Sequence, residues 1–178
     1  NTAVISEIKG NRIPVQYMQC YAERLKRMIC DAVGKTEADK PLQGLKIVVD
    51  AGNGAGGFYA QNVLEALGAD ITGSQFLEPD GMFPNHIPNP ENKEGFTIAI
   101  EMAKENDVDV IIGTDPDCDR VGIVVRDADG IYRTLTGNQT GALLVDYILR
   151  SKKEQNNLPS DGVVIKTIVT TELAAAIA

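Results

Sequence analysis

Apolar residues recur along this chain with two different spacings, and each change of period marks a new element. Over residues 15–33, Met18, Tyr21, Leu25, Met28, Ile29 and Val33 return every three or four positions. That spacing predicts an amphipathic helix with one face turned to a core. A polar stretch with one proline, 34–44, reads as a linker. Leu45-Lys-Ile-Val-Val-Asp50 is a short apolar run bounded by glycine, the pattern of a buried strand. A glycine-rich turn follows, then a helix over about 58–68 that turns Val63, Leu64 and Leu67 inward, and a second strand over 69–77. The stretch 78–95 holds Pro79, Pro84, Pro88 and Pro90 among Asn and Gly, and reads as a long loop of the kind often tied to function. Phe96 to Asn106 is the next predicted helix. The third strand is Val108 to Ile112 and the fourth Val121 to Val125.

The connector from Asp115 to Arg120 is too short for a crossover between parallel strands, which takes about a dozen residues or more. Strands three and four, as neighbours, therefore run antiparallel. The expected fold is α/β: a three-layer α/β/α unit over about 41–131 around a mixed four-stranded sheet whose last strand is antiparallel. The turn Asp127-Ala-Asp-Gly130 closes it. Beyond lie a helix over 137–150, a polar linker over 151–161, a strand at 163–165 and a helix running to Ala178. One helix and one or two strands bury no core, so 132–178 reads as an incomplete second α/β unit. The connector 115–120 sits at the carboxyl end of a strand, the edge at which open α/β sheets bind ligands.

Charge and composition exclude several functions. The 178 residues hold 17 Lys plus Arg against 25 Asp plus Glu, a net charge of −8. Such a chain repels phosphate polymers at long range, which argues against nucleic acid and anionic membrane as partners. No apolar run approaches the roughly 20 residues of a membrane span, and the polar, mixed-charge start Asn1–Gly10 is not a secretory signal. Cys20, Cys30 and Cys118 are odd in number and lack C-x-x-C spacing, which speaks against a disulfide framework or a zinc site and fits the cytoplasm.

The chemistry concentrates in Gly113-Thr-Asp115-Pro-Asp117-Cys-Asp119-Arg120. Three carboxylates so close raise one another's pKa, and a divalent cation removes that cost. Oxygen ligands select Mg²⁺, Ca²⁺ or Mn²⁺ over softer metals. An EF-hand loop would need Gly at its sixth position and Glu at its twelfth, where this chain has Arg120 and Arg126. A solvated acidic turn is the plain alternative, since Asp favours turns. The remaining reading is a Mg²⁺ site with Arg120 poised to clamp a phosphate through its planar fork.

Two further readings stay open at this level. Gly52-Asn-Gly54-Ala-Gly-Gly57 fits G-x-G-x-x-G after a strand and before a helix, with Glu78 about 20 residues on, as in a dinucleotide-binding oxidoreductase. The same glycines serve equally for a tight turn and close packing. The other reading is a non-enzymatic interaction module with a divalent ion as structural glue. Single residues receive plainer readings. His86 reads as a solvent-exposed loop histidine, Cys118 as packing pointed away from the aspartates, and Tyr17, Met18 and Tyr21 as core.

Thr114-Asp-Pro-Asp-Cys-Asp-Arg-Val-Gly-Ile-Val124 resembles the metal loop of the α-D-phosphohexomutase superfamily, in the form of its bacterial phosphoglucomutase branch. Lys46-Ile-Val-Val-Asp-Ala-Gly-Asn-Gly-Ala-Gly-Gly57 resembles the opening strand and turn of that family's second domain, and Phe83-Pro-Asn-His-Ile-Pro-Asn-Pro-Glu-Asn92 its Pro-rich loop. The resemblance implies that 1–40 is the exit of a first domain with the leading helix of the second, 41–131 the metal-binding second domain, and 132–178 the start of a third. It implies Asp115, Asp117 and Asp119 as Mg²⁺ ligands, Arg120 in contact with an active-site phosphoserine, and Lys166 as a lysine reaching the cleft. The parent enzyme would pass phosphate between C1 and C6 of a hexose phosphate by way of a hexose bisphosphate. The phosphoserine motif is not here, since Ser6, Ser74, Ser151 and Ser160 all lie in other contexts. The sugar-recognition loop is also missing. The segment itself is therefore expected to be inactive.

Overall fold

The computed structural model describes residues 10–11, 13–90 and 93–178. The opening of the 1–40 segment, with Ser6, and the last two residues of the Phe83–Asn92 motif lie outside the described residues. Helix α1 is Tyr17–Val33, closed by Gly34 in the left-handed conformation that a helix end favours. Strand β1 (Ile47–Asp50) is buried along its whole length, as a strand covered on both faces must be. A short 3₁₀ turn, Ala55–Gly57, leads through Phe58 into a π-helical segment, Ala60–Glu65. After the Pro-rich loop come helix α2 (Thr97–Asn106), strand β2 (Val110–Thr114), strand β3 (Val121–Arg126), strand β4 (Tyr132–Leu135), helix α3 (Gly137–Glu154) and a short helix α4 (Glu172–Ile177).

The sheet has four strands in the order β1-β2-β3-β4. β1 and β2 are parallel, with Asp50 opposite Gly113, whereas β2–β3 and β3–β4 are antiparallel. On one face, Phe96, Ala99 and Ala103 pack against Val48, Ile111 and Val124. On the other, Ala22 and Cys30 of α1 meet Val63 and Leu67. Helices thus cover both faces of a mixed sheet, the expected α/β/α arrangement.

The strand membership differs from the sequence reading. Residues 69–77 form no continuous strand; they touch β1 through two isolated parallel bridges, Lys46 to Asp70 and Asp50 to Gln75. Between those bridges the chain turns at Gly73, where φ is +93°, and a ladder cannot run through that conformation. The fourth strand is instead Tyr132–Leu135, beyond the point where the pattern suggested the sheet would end. Residues 163–165 are not a strand either. Val163 and Ile165 are exposed and have no strand beside them among the described residues. The buried stripe of α1 is also rotated one position, to Ala22, Lys26 and Cys30. Tyr17, Met18, Met28 and Val33 are largely exposed rather than core. Met28 and Val33 instead line an open cleft of about 540 Å³ with Ile112, Val121 and Tyr147.

The centre of the sheet carries a hollow cut to one side chain. Gly113 and Gly122 are register partners across β2 and β3. A methyl group at either would come within 2.6 Å of the Phe96 ring, which is buried at 2% exposure. Missing side chains on the sheet therefore seat the residue that ends the Pro-rich loop and begins α2. Phe96→Ala is expected to lower unfolding stability by about 3–5 kcal/mol and Gly113→Ala by about 1–3 kcal/mol. Denaturant unfolding should also show that Phe96→Leu combined with Gly113→Ala costs less than the sum of the two, because both act on one contact.

Candidate metal centre

Strand β2 ends at Thr114, and the chain reverses within Asp115–Arg120 before β3 starts. The reversal is closed by the Cys118 N–H donating to the Asp115 carbonyl at 3.1 Å, with Cys118 itself at φ +62°. That left-handed conformation is uncommon for a residue with a side chain. It turns successive alternate residues to one side, so that an oxygen from each of Asp115, Asp117 and Asp119 lies within 4.8 Å of the others. Cys118 points the opposite way, toward Gly56 and Thr114. Its thiol is pushed up, first by burial.

The three carboxylates are not equivalent. Asp115 is 1% exposed. It accepts the Arg120 backbone N–H at 3.1 Å and the Arg120 Nε at 2.8 Å. Burial alone would push its carboxyl up; the two hydrogen bonds from Arg120 and one from Asp119 outweigh burial and hold it below the usual carboxylate range. Asp119 is moved the other way, first by its hydrogen bond to Asp115 and then by the charges of Asp117 and Asp115. Arg120 thus satisfies the buried member, while Asp117 and Asp119 add negative charge at the rim. The donors are all hard oxygens, and their convergence suits a divalent cation such as Mg²⁺.

The loop rests on the glycine turn. Ala55 N–H donates to the Pro116 carbonyl at 2.8 Å. A methyl at Gly54 would stand 2.7 Å from the Pro116 Cα, and one at Gly57 only 1.8 Å from the Leu77 carbonyl oxygen. A methyl at Gly52, where φ is +51°, would meet Pro88 at 2.6 Å. These glycines let three backbone segments close on one another. The space above Gly54 that a dinucleotide pyrophosphate needs is filled by Pro116, so the oxidoreductase reading loses its physical basis.

His86 corrects the sequence reading most clearly. It is half-buried, not solvent-exposed: its Nε2 lies 3.0 Å and 3.2 Å from the two oxygens of Asp50, and its Nδ1 3.1 Å from the Ile87 carbonyl. Asp50 is 3% exposed and also accepts from Gly52 N–H at 2.9 Å and Gln75 Nε2 at 3.0 Å. Burial pulls the His86 pKa down, but the Ile87 and Asp50 hydrogen bonds and the Asp50 charge more than offset it, so the ring is held above its ordinary value. A pairing across 36 residues leaves no local signal; the only hint in the sequence is an Asp at the end of a buried strand. Lys166 is not drawn toward the acidic loop by any contact described: its Nζ donates to Glu172 at 2.7 Å and to the Thr170 carbonyl at 3.2 Å.

Comparison with known proteins agrees with this geometry. Residues 19–130 match the sequence family described as phosphoglucomutase/phosphomannomutase, alpha/beta/alpha domain II. A phosphoglucomutase of Staphylococcus haemolyticus is 36% identical over 144 residues, covering 79% of this chain and 25% of that protein. A phosphomannomutase/phosphoglucomutase of Pseudomonas syringae is 44% identical over 124 residues, covering 70% of this chain and 24% of that one. A crystal structure of a phosphoglucomutase/phosphomannomutase family protein from Burkholderia thailandensis superposes with a TM-score of 0.53 at 34% identity, over 60% of this chain and 22% of that one. The chain spans about a quarter of the length of the curated relatives it matches. The sheet order, the acidic reversal and these matches lead to one conclusion: the chain belongs to the phosphoglucomutase/phosphomannomutase family, through its second, α/β/α domain.

Proposed function

We propose that this chain is the metal-binding segment of a Mg²⁺-dependent phosphohexomutase. The observation that carries the proposal is the convergence of Asp115, Asp117 and Asp119 at the carboxyl end of β2, with Arg120 bonded to the buried member. Asp115, Asp117 and Asp119 would hold the metal. Bound there, Mg²⁺ would supply a positive centre that neutralises charge developing on a phosphoryl group in transfer. Arg120 has two roles in this reading. Its Nε and backbone N–H fix the Asp115 carboxylate, and its side chain is about half exposed at 47%, so its planar cation would be able to contact a transferring phosphate.

The parent protein would carry phosphate between C1 and C6 of a hexose phosphate in the cytoplasm. A phosphoserine outside this segment would donate its phosphoryl group, giving free serine and a hexose bisphosphate, and the other phosphate would then return to that serine. In this scheme residues 1–40 join a first domain to the second, 41–131 carry the metal site, and 132–178 open a third domain. Lys166 would reach the cleft only if its ties to Thr170 and Glu172 were exchanged for others. By itself the chain lacks the nucleophile, so it is expected to bind metal without turning over hexose phosphate.

Calorimetric titration with Mn²⁺ or Mg²⁺ should show saturable binding. Asp117→Asn should weaken it by about a hundredfold or more, since loss of an outer partner of a metal ligand already costs about 10–100-fold. No saturable binding at millimolar metal, or binding unchanged by Asp117→Asn, would overturn the assignment. Gly54→Ala alters no ligand, yet its methyl presses on Pro116, so metal affinity is expected to fall by about tenfold.

A further inference from the structure

The His86–Asp50 pair is an ionic contact that the metal site does not use directly, and both of its side chains are largely shielded from solvent, at 15% and 3% exposure; its hydrogen-bond geometry dictates its protonation. Nδ1 faces the Ile87 carbonyl, which only accepts, so Nδ1 must carry a proton. Nε2 faces both oxygens of Asp50. Asp50 already accepts from Gly52 N–H and Gln75 Nε2, which is the environment of an ionised carboxylate, so Nε2 must also donate. Both ring nitrogens are donors, and only the imidazolium satisfies the site. Either neutral tautomer would place a nitrogen lone pair against an oxygen. Asp50 is the one charged group within hydrogen-bond distance of the ring among the described residues; the Phe76 ring stands edge-on to it at 5.4 Å, Gly52 lies beside Cε1, and a small pocket shared with Pro88, Phe96 and Thr114 borders the ring.

This pair lies where the Pro-rich loop crosses the glycine turn. Around it, Asn85 Nδ2 donates to Asn53 Oδ1 at 2.7 Å, Asn53 Nδ2 donates to the Glu78 carbonyl at 2.9 Å, and Pro88 sits on Gly52. Two residues further along the same turn, Gly54 and Ala55 carry Pro116 of the acidic loop. We propose that the His86 imidazolium is a positioning residue: by clamping the Pro-rich loop to Asp50 it fixes the glycine turn, and the turn fixes the acidic loop. Its functional meaning rests on the metal-site reading above. The linkage sign follows from the ring's raised pKa. The clamp is complete below the ordinary histidine pKa of about 6.5 and is lost as pH rises through the higher folded value.

The chain contains a single histidine, so its ring can be followed by NMR without ambiguity. The test titrates that ring in the 178-residue chain from about pH 6 to about pH 8.5. In parallel it measures the exchange protection of the Ala55 N–H, corrected for the intrinsic pH dependence of exchange. Ala55 protection is expected to fall by about tenfold in step with loss of the His86 proton, while amides of α2 stay protected. His86→Gln should show the low Ala55 value at every pH. Ala55 protection that ignores the His86 titration, or that is as high in His86→Gln as in the parent at about pH 6, would overturn the proposal. If the variant does not fold, the wild-type titration alone decides. Mn²⁺ affinity separates the two readings. An affinity that falls with His86 deprotonation supports both. Binding indifferent to His86 leaves the metal site standing and removes the positioning role. Ala55 tracking His86 without any Mn²⁺ binding keeps the positioning role and removes the metal site.

Discussion

Close approach of backbone to backbone at the glycine turn is the constraint on which the rest of the structure depends. Pro116 comes so near Gly54, and the Leu77 carbonyl so near Gly57, that no Cβ fits between them. The Ala55 N–H bond to the Pro116 carbonyl then fixes the acidic loop on the turn rather than leaving it as an independent hairpin tip. A loop of three aspartates would otherwise spread to relieve its own repulsion. Here the packing beneath it holds the carboxylates together, and the electrostatic tension that results is what a divalent cation would relieve.

Two aspartates at the ends of neighbouring parallel strands show how similar positions acquire different chemistry. Asp50 is the last residue of β1 and Asp115 the first residue after β2, and both are almost wholly buried. Asp50 is answered by His86, Gln75 and a backbone N–H, a closed set of partners that ties two loops together. Asp115 is answered by Arg120, yet two further carboxylates stand beside it. Burial strengthens the attraction within each pair at the expense of desolvation, and it makes a charge left unpaired costly. One strand end is therefore neutralised from within, whereas the other keeps an excess of negative charge at the sheet edge.

The sheet itself obeys the same economy of side chains. Gly113 and Gly122 open a slot that Phe96 fills, so the residue ending the Pro-rich loop is anchored in the core. The loop is thus held at its end by apolar packing and at its middle by the His86–Asp50 contact.

The sequence determined what depends on neighbours along the chain. Apolar runs and turn residues located β1, β2, β3 and α2. The six-residue connector after β2 required an antiparallel return, because no parallel crossover is that short. Alternation of Asp115, Asp117 and Asp119 was enough to anticipate that the three carboxylates converge, since residues two apart in a reversing segment are already near one another. Tertiary structure decided what depends on distant partners. It broke 69–77 at Gly73, gave the last place in the sheet to Tyr132–Leu135, and left 163–165 without a strand to pair with. It turned the Gly52–Gly57 motif from an apparent phosphate cradle into a packing surface, and it made the lone His86 the half-buried partner of Asp50. The physical reason is the same each time: hydrogen-bond ladders, steric fit and ion pairs are made between segments dozens of residues apart, and local pattern holds no record of them.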